Sequence, residues 1–241
     1  MSDSADALFR PLRAGNAFED TIERIMQAIR LGVVAPGERL PPERELATRL
    51  NVSRDTLREA IRALQESGVI SSRRGRSGGS FVTYSPPHQR AAEATARRLP
   101  KSDDGKELAD ALAFRHVLEE GAAEMAAGHP VSSPERTRLL AMLRASAEAD
   151  LVSYRQADSR LHLCIAEMAR SSSLLAAVAD MRARINDFLD EIPLLKVNLT
   201  HANDQHAAIV EAILAGEPDA SRAAMADHLD GTAALLRGFL G

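Results

Sequence analysis

The apolar positions of this chain change their period early and then keep one rhythm to the end. Phe18, Ile22, Ile25, Met26 and Ile29 recur every three or four residues, the spacing of one helix face. Asn16 stands where an N-cap belongs, Glu19 three residues on suits a capping box, and Gly32 ends the stripe. After the turn Val34-Ala35-Pro36-Gly37, Pro41-Pro42 leads into a short helix at residues 43–50 with Leu46, Ala47 and Leu50 on one side. Asn51-Val52 makes a tight turn. Ser53 is a good N-cap for a second helix, which carries Leu57, Ile61 and Leu64 to about residue 67 before Gly68 closes it. Val69-Ile70 and Phe81-Val82 then read as a strand pair, with Arg73, Arg74, Gly75, Arg76, Gly78 and Gly79 at its tip.

No alternating strand pattern follows Val82. Ser85-Pro86-Pro87 breaks the chain, and a short alanine-rich, basic helix is expected at residues 88–99. Longer helices are expected near 107–127, 133–150, 153–170, 174–191, 202–214 and 218–239, separated by Gly128-His129-Pro130, Pro193, Gly216 and Pro218. The fold class is therefore mainly α: an N-terminal winged helix-turn-helix with a small β-hairpin wing, then a C-terminal all-α helical bundle. The boundaries fall as a flexible arm at 1–16, the winged unit at 17–84, a linker with its short helix at 85–104 and the bundle at 105–241.

Net charge is −4 over 241 residues, which by itself argues against nucleic acid, but its distribution reverses that. Residues 1–100 carry 16 arginines against 12 acids, a surplus of +4, whereas residues 101–241 stand at −8. Between Arg39 and Arg76 nine arginines face five acids. A basic first part and an acidic second part fit one module that touches DNA and one that does not. Aromatic residues make up only 3% and tryptophan is absent, which disfavours binding of single strands by stacking. The lone Cys164 allows no internal disulfide and sits in an apolar helical pattern. No apolar run reaches membrane-spanning length and residues 1–15 lack a signal-peptide core, so a cytoplasmic protein without membrane contact is expected.

The start of the second helix carries the chemistry of DNA reading. Ser53, Arg54, Thr56 and Arg58 stand on its outer face, where short hydroxyls and guanidinium groups reach phosphates and guanine edges in a major groove. The segment PPERELATRLNVSRDTLREAIRALQESGVI, followed by GRSGGSFV, resembles the winged helix-turn-helix of the GntR family of bacterial transcription regulators. The resemblance implies that Arg44, Arg54 and Arg58 hold or read DNA, that Ser53 and Thr56 touch phosphates, and that Gly79 lies in a wing whose Arg74 and Arg76 add positive charge.

The bundle holds a second constellation. Asp158 and His162 are four apart on one helix and share a face, while His206 and His228 lie on two later helices. Converging, one carboxylate and three imidazoles would make a mixed oxygen and nitrogen site suited to a divalent transition metal: zinc first, with nickel, manganese or iron also fitting. Residues 105–236 resemble the FCD ligand-binding domain of FadR-type GntR regulators, through FRHVLEEGAAEMAA, ADSRLHLCIAEMARSSSLL and DQHAAIVEAILAGEPDASRAAMADHL. In metal-binding members of that group an Asp and three His stand where Asp158, His162, His206 and His228 stand here. The resemblance also implies that Arg115 faces the effector pocket, where a guanidinium grips a carboxylate in forked geometry. Asn186, on a middle helix, is a candidate polar partner in that pocket.

The expected function is a DNA-binding transcription regulator, a repressor working as a homodimer on a palindromic operator in double-stranded DNA. A small carboxylate effector bound at the metal site would tune operator affinity. Two other readings use the same residues. One is a metal-dependent enzyme on a helical bundle, although no general base or nucleophile pair stands out beside the quartet. The other is a constitutive DNA-binding protein whose metal is purely structural.

Overall fold

A computed structural model describes residues 16–30, 34–73, 75, 78–83, 104–151 and 153–240. The expected arm, the short helix at 88–99 and the wing-tip residues Arg74 and Arg76 lie outside the described residues. Contacts divide the chain into two compact units, one of residues 1–104 with 234–241, the other of residues 105–233.

In the first unit, α1 (Ala17–Arg30), α2 (Glu43–Leu50) and α3 (Arg54–Glu66) precede a hairpin of β1 (Ile70–Arg73) and β2 (Gly79–Val82). Phe18, Ile22, Ile25 and Ile29 of α1, Leu46 and Leu50 of α2 and Leu57 and Leu64 of α3 are all within about one-fiftieth of full exposure or less, and α3 packs against both other helices. Asn51 turns the chain in left-handed conformation (φ 54°), and its N–H returns to α2. Ser53 caps α3 as expected, its hydroxyl accepting from the Thr56 N–H at 2.9 Å. Gly68 (φ 74°) closes the helix.

The hairpin is longer than the apolar pattern foretold. Its antiparallel register pairs Ile70 with Val82 and Arg73 with Gly79, because the ladder continues through polar Ser71 and Ser72. The segment before α2 also joins this sheet: Arg39 bridges Phe81, Leu40 N–H donates to Ser80 at 2.8 Å and Val82 N–H to Glu38 at 3.0 Å. Three residues with no alternation carry no strand signal, so this contribution was not legible in the sequence.

The helices of the second part of the chain are α4 (Asp104–Ala127), α5 (Ser133–Ala147), α6 (Tyr154–Met168), α7 (Ser172–Asp190), α8 (Lys196–Ala215) and α9 (Pro218–Leu240). Leu139, Leu161, Ile165, Ile209, Ile213 and Leu229 form the centre of one apolar core. Helix α5 starts at Ser133 as expected, and Ser132 before it is the cap, its N–H donating to Glu135 Oε2 at 2.8 Å in a capping box. Helix α8 begins six residues ahead of the expected position, because Leu195 is buried and anchors an extra turn and a half. Gly216 (φ 73°) ends α8 in left-handed conformation, as its sequence position suggested.

Leu139 on α5 is fully buried in the core of the second unit. Leu139→Ala is expected to lower the stability of that unit by about 2–5 kcal/mol, read as the shift of its urea unfolding curve. A shift of a few tenths would mean that this core is loosely packed.

Candidate functional site

Arg44, Arg54 and Arg58 are all solvent-exposed. The Arg58 guanidinium is 62% exposed and rests on the Asp55 carboxylate one turn back. Such an exposed pair contributes little to stability, so the guanidinium exchanges partners readily. Ser53 and Thr56 form a local unit, their hydroxyl oxygens 2.8 Å apart. Gly79 has a structural role: at φ 150° it faces the Arg39 side chain, and a Cβ there would stand 2.3 Å from Arg39 Nε. Arg73 lies over the Phe81 ring, 4.7 Å from its centroid.

In the second unit the structure brings Asp158, His162, His206 and His228 together. One donor atom from each lies within 4.8 Å of every other, and all four residues are buried. Asp158 and His162 sit one turn apart on α6, His206 comes from α8 and His228 from α9. The ring centroids of His206 and His228 are 4.4 Å apart, and those of His162 and His228 5.1 Å. Asp158 Oδ1 lies 3.3 Å from His206 Nε2 and 3.7 Å from His162 Nε2.

Arg115 is 1% exposed, and its Nε donates to Glu119 Oε1 at 2.8 Å, while Nη1 has no hydrogen-bond partner. Two residues that the sequence did not single out complete the cluster. Glu119 meets His162 Nδ1 through Oε2, and Arg182 of α7 holds Asp158 Oδ2 and reaches Ser159 Oγ at 3.3 Å. Arg182 Nε and Nη1 also lack a hydrogen-bond partner. Asn186 donates from Nδ2 to Ser159 Oγ at 3.0 Å and leaves Oδ1 unpartnered. A signal for both additional residues existed: Glu119 is four residues after Arg115, and Arg182 four before Asn186, so each shares a helix face with a named candidate.

These charges fix one another. Burial would raise the Asp158 carboxyl, but the Arg182 guanidinium holds it well below its ordinary range. Burial likewise opposes ionisation of Glu119, and His162, Arg115 and Arg182 together overcome it. Burial lowers His228 strongly, with His206 and His162 acting in the same sense; it also lowers His162, against the pull of Glu119. Neutral imidazoles beside an ionised carboxylate are the protonation states that a divalent metal requires. Both ring nitrogens of His206 and Nε2 of His162 are buried without a hydrogen-bond partner, so the donor set fits such an ion.

Sequence comparison decides the family. The profile described as "Bacterial regulatory proteins, gntR family" matches residues 18–82, and the profile described as "FCD domain" matches residues 110–231. The chain belongs to the GntR family. The protein named "Putative L-lactate dehydrogenase operon regulatory protein" from Escherichia coli K12 is 32% identical over 88% of this chain and 83% of its own. The Exu regulon transcriptional regulator of the same organism is 30% identical over 90% of this chain and 81% of its own. LutR of Bacillus subtilis, an HTH-type transcriptional regulator, is 27% identical over 88% and 97%. This GntR protein is thus a transcription regulator with an FCD ligand-binding domain, not an enzyme. Among its described residues no helix is long and apolar enough to cross a membrane.

The titrations give the two units opposite pH dependence. Without metal, folded His162 and His228 bind protons less readily than free imidazoles with their value of 6.5. Their stabilisation is fully present above that value and is lost as the pH falls below it; Asp158 and Glu119 extend the loss further into acid. Asp20, in the first unit, is pushed up to about 6 by burial and by Glu23 and Glu19, so its contribution is present in acid and fades as the pH rises from 3.8 through 6. For chelator-treated protein, the urea midpoint of the second unit is expected to drop between about pH 7.5 and 5.5. An unchanged midpoint would contradict the buried neutral imidazoles.

Proposed function

We propose that this GntR protein is a cytoplasmic repressor that binds a palindromic operator as a homodimer and loosens or tightens its hold when a small carboxylate enters the FCD domain. Residues 17–84 read the DNA, 85–104 link, and 105–241 bind the effector and dimerise. Two-fold protein symmetry matches a two-fold operator, and two linked heads gain affinity from effective concentration. Arg54 and Arg58 read base edges, Arg44 and the hydroxyls of Ser53 and Thr56 contact phosphates, and the wing carrying Gly79, Arg74 and Arg76 tracks the backbone.

The observation that carries the effector reading is the side-by-side burial of four metal-ligating groups and two guanidinium groups with unpartnered N–H bonds. Asp158, His162, His206 and His228 would hold a divalent transition metal, zinc first, with nickel, manganese or iron as alternatives. A bound metal supplies positive charge and an open position for an acid oxygen. Arg115 and Arg182 orient the rest of the acid, and Asn186 offers it a further polar contact. That one relative is named for an L-lactate dehydrogenase operon is in keeping with an acid of this size. The acid shifts the DNA-binding equilibrium by no more than its difference in affinity for the two arrangements of the heads.

Two measurements test this. Protein purified without a histidine tag from metal-replete cells should carry about one divalent transition metal per chain by elemental analysis, and His228→Ala should carry none while keeping its basal operator binding. Wild-type protein free of metal would remove the site. Arg58→Ala should weaken specific operator binding by about 1–3 kcal/mol in a gel-shift titration without loss of helical circular dichroism; unchanged binding would take Arg58 out of the reading surface.

A further inference from the structure

Glu119 is the buried carboxylate that touches both Arg115 and His162. It stands on α4, 2% exposed in its side chain, and its two oxygens face different partners. Oε1 accepts from Arg115 Nε at 2.8 Å and lies 3.9 Å from Arg182 Nη1; Oε2 meets His162 Nδ1. A carboxylate held against Nδ1 of an imidazole favours the tautomer with the proton on that nitrogen and leaves the Nε2 lone pair free. In His162 that free nitrogen has no hydrogen-bond partner and lies 3.7 Å from Asp158 Oδ1, on the side where the other donors gather. The same carboxylate holds Arg115 by Nε and leaves its Nη1 unpaired.

We propose that Glu119 is the positioning residue of the site, aiming His162 Nε2 at the metal and the Arg115 terminal N–H groups at the effector acid from a single carboxylate. The proposal rests on the metal reading above. It assigns Nε2 as the ligand atom of His162 and makes Glu119 a partner of both binding events without contact to either ligand. Metal and acid therefore share an element, and by linkage any change that one makes in the other's affinity through it is reciprocal.

Cobalt(II) is the probe, titrated into the full-length, chelator-treated chain, with the exchangeable ring N–H protons of the ligating histidines followed as metal-shifted proton resonances. Glu119→Gln keeps the shape of the side chain and removes its charge. It is expected to weaken cobalt binding roughly 10–100-fold and to move or broaden one histidine N–H resonance that is sharp in the wild type. Glu119→Asp, which keeps the charge but retracts it, should fall between the two and serves if Glu119→Gln does not fold. Unchanged cobalt affinity in the folded variant overturns the proposal, and so does weakened affinity with every N–H resonance in place, the mark of a general effect of charge or fold. Wild-type protein that takes up no cobalt fails the metal reading itself, and the role of Glu119 falls with it.

Discussion

The second unit is organised by the need to bury charge without leaving it alone. Two guanidinium groups, two carboxylates and three imidazoles lie in its interior, where an isolated charge is very costly. They persist because each carboxylate is spoken for: Asp158 by Arg182, Glu119 by Arg115 and His162. Five helices must supply these groups together, since Arg115 and Glu119 come from α4, Asp158 and His162 from α6, Arg182 from α7, His206 from α8 and His228 from α9. An apolar bundle of the same volume would be at least as stable by known precedent, so stability does not explain the cluster. The arrangement leaves N–H groups and imidazole nitrogens unsatisfied in the interior, and on the proposed reading a bound ligand would satisfy them.

The reading head follows a different logic. Its core is apolar and Arg44, Arg54 and Arg58 are exposed, so these charges lie at the surface rather than inside the fold. Arg58 resting on Asp55 illustrates the point: the pair is weak in water, and on the proposed reading a phosphate or guanine edge would replace it. One chain thus keeps exposed charges on its DNA-binding unit and paired charges in the interior of its FCD domain.

Much of this was legible in the sequence because local periodicity and capping chemistry set it. Ser53 before Arg54, Asn51 in the turn and Gly216 after α8 each announced an element boundary that the structure keeps. The quartet was legible for a different reason, the Asp158–His162 spacing together with the FCD resemblance. What stayed hidden depends on partners distant in sequence. The Arg39–Phe81 bridge has no local alternation, and Glu119 and Arg182, although each shares a helix face with a named candidate, gain their partners only once α6 is packed against them. Gly79 was visible as a wing glycine, but its close approach to Arg39 follows only from the pairing of the segment with β2.

X-ray absorption spectroscopy of the zinc-loaded full-length chain tests the central claim most directly. A site built by Asp158, His162, His206 and His228 gives a first shell of nitrogen and oxygen at about 2.0–2.2 Å, with outer-shell scattering from three imidazoles and no sulfur. A sulfur shell near 2.3 Å, which would bring in Cys164, or an oxygen shell without imidazole scattering would contradict it.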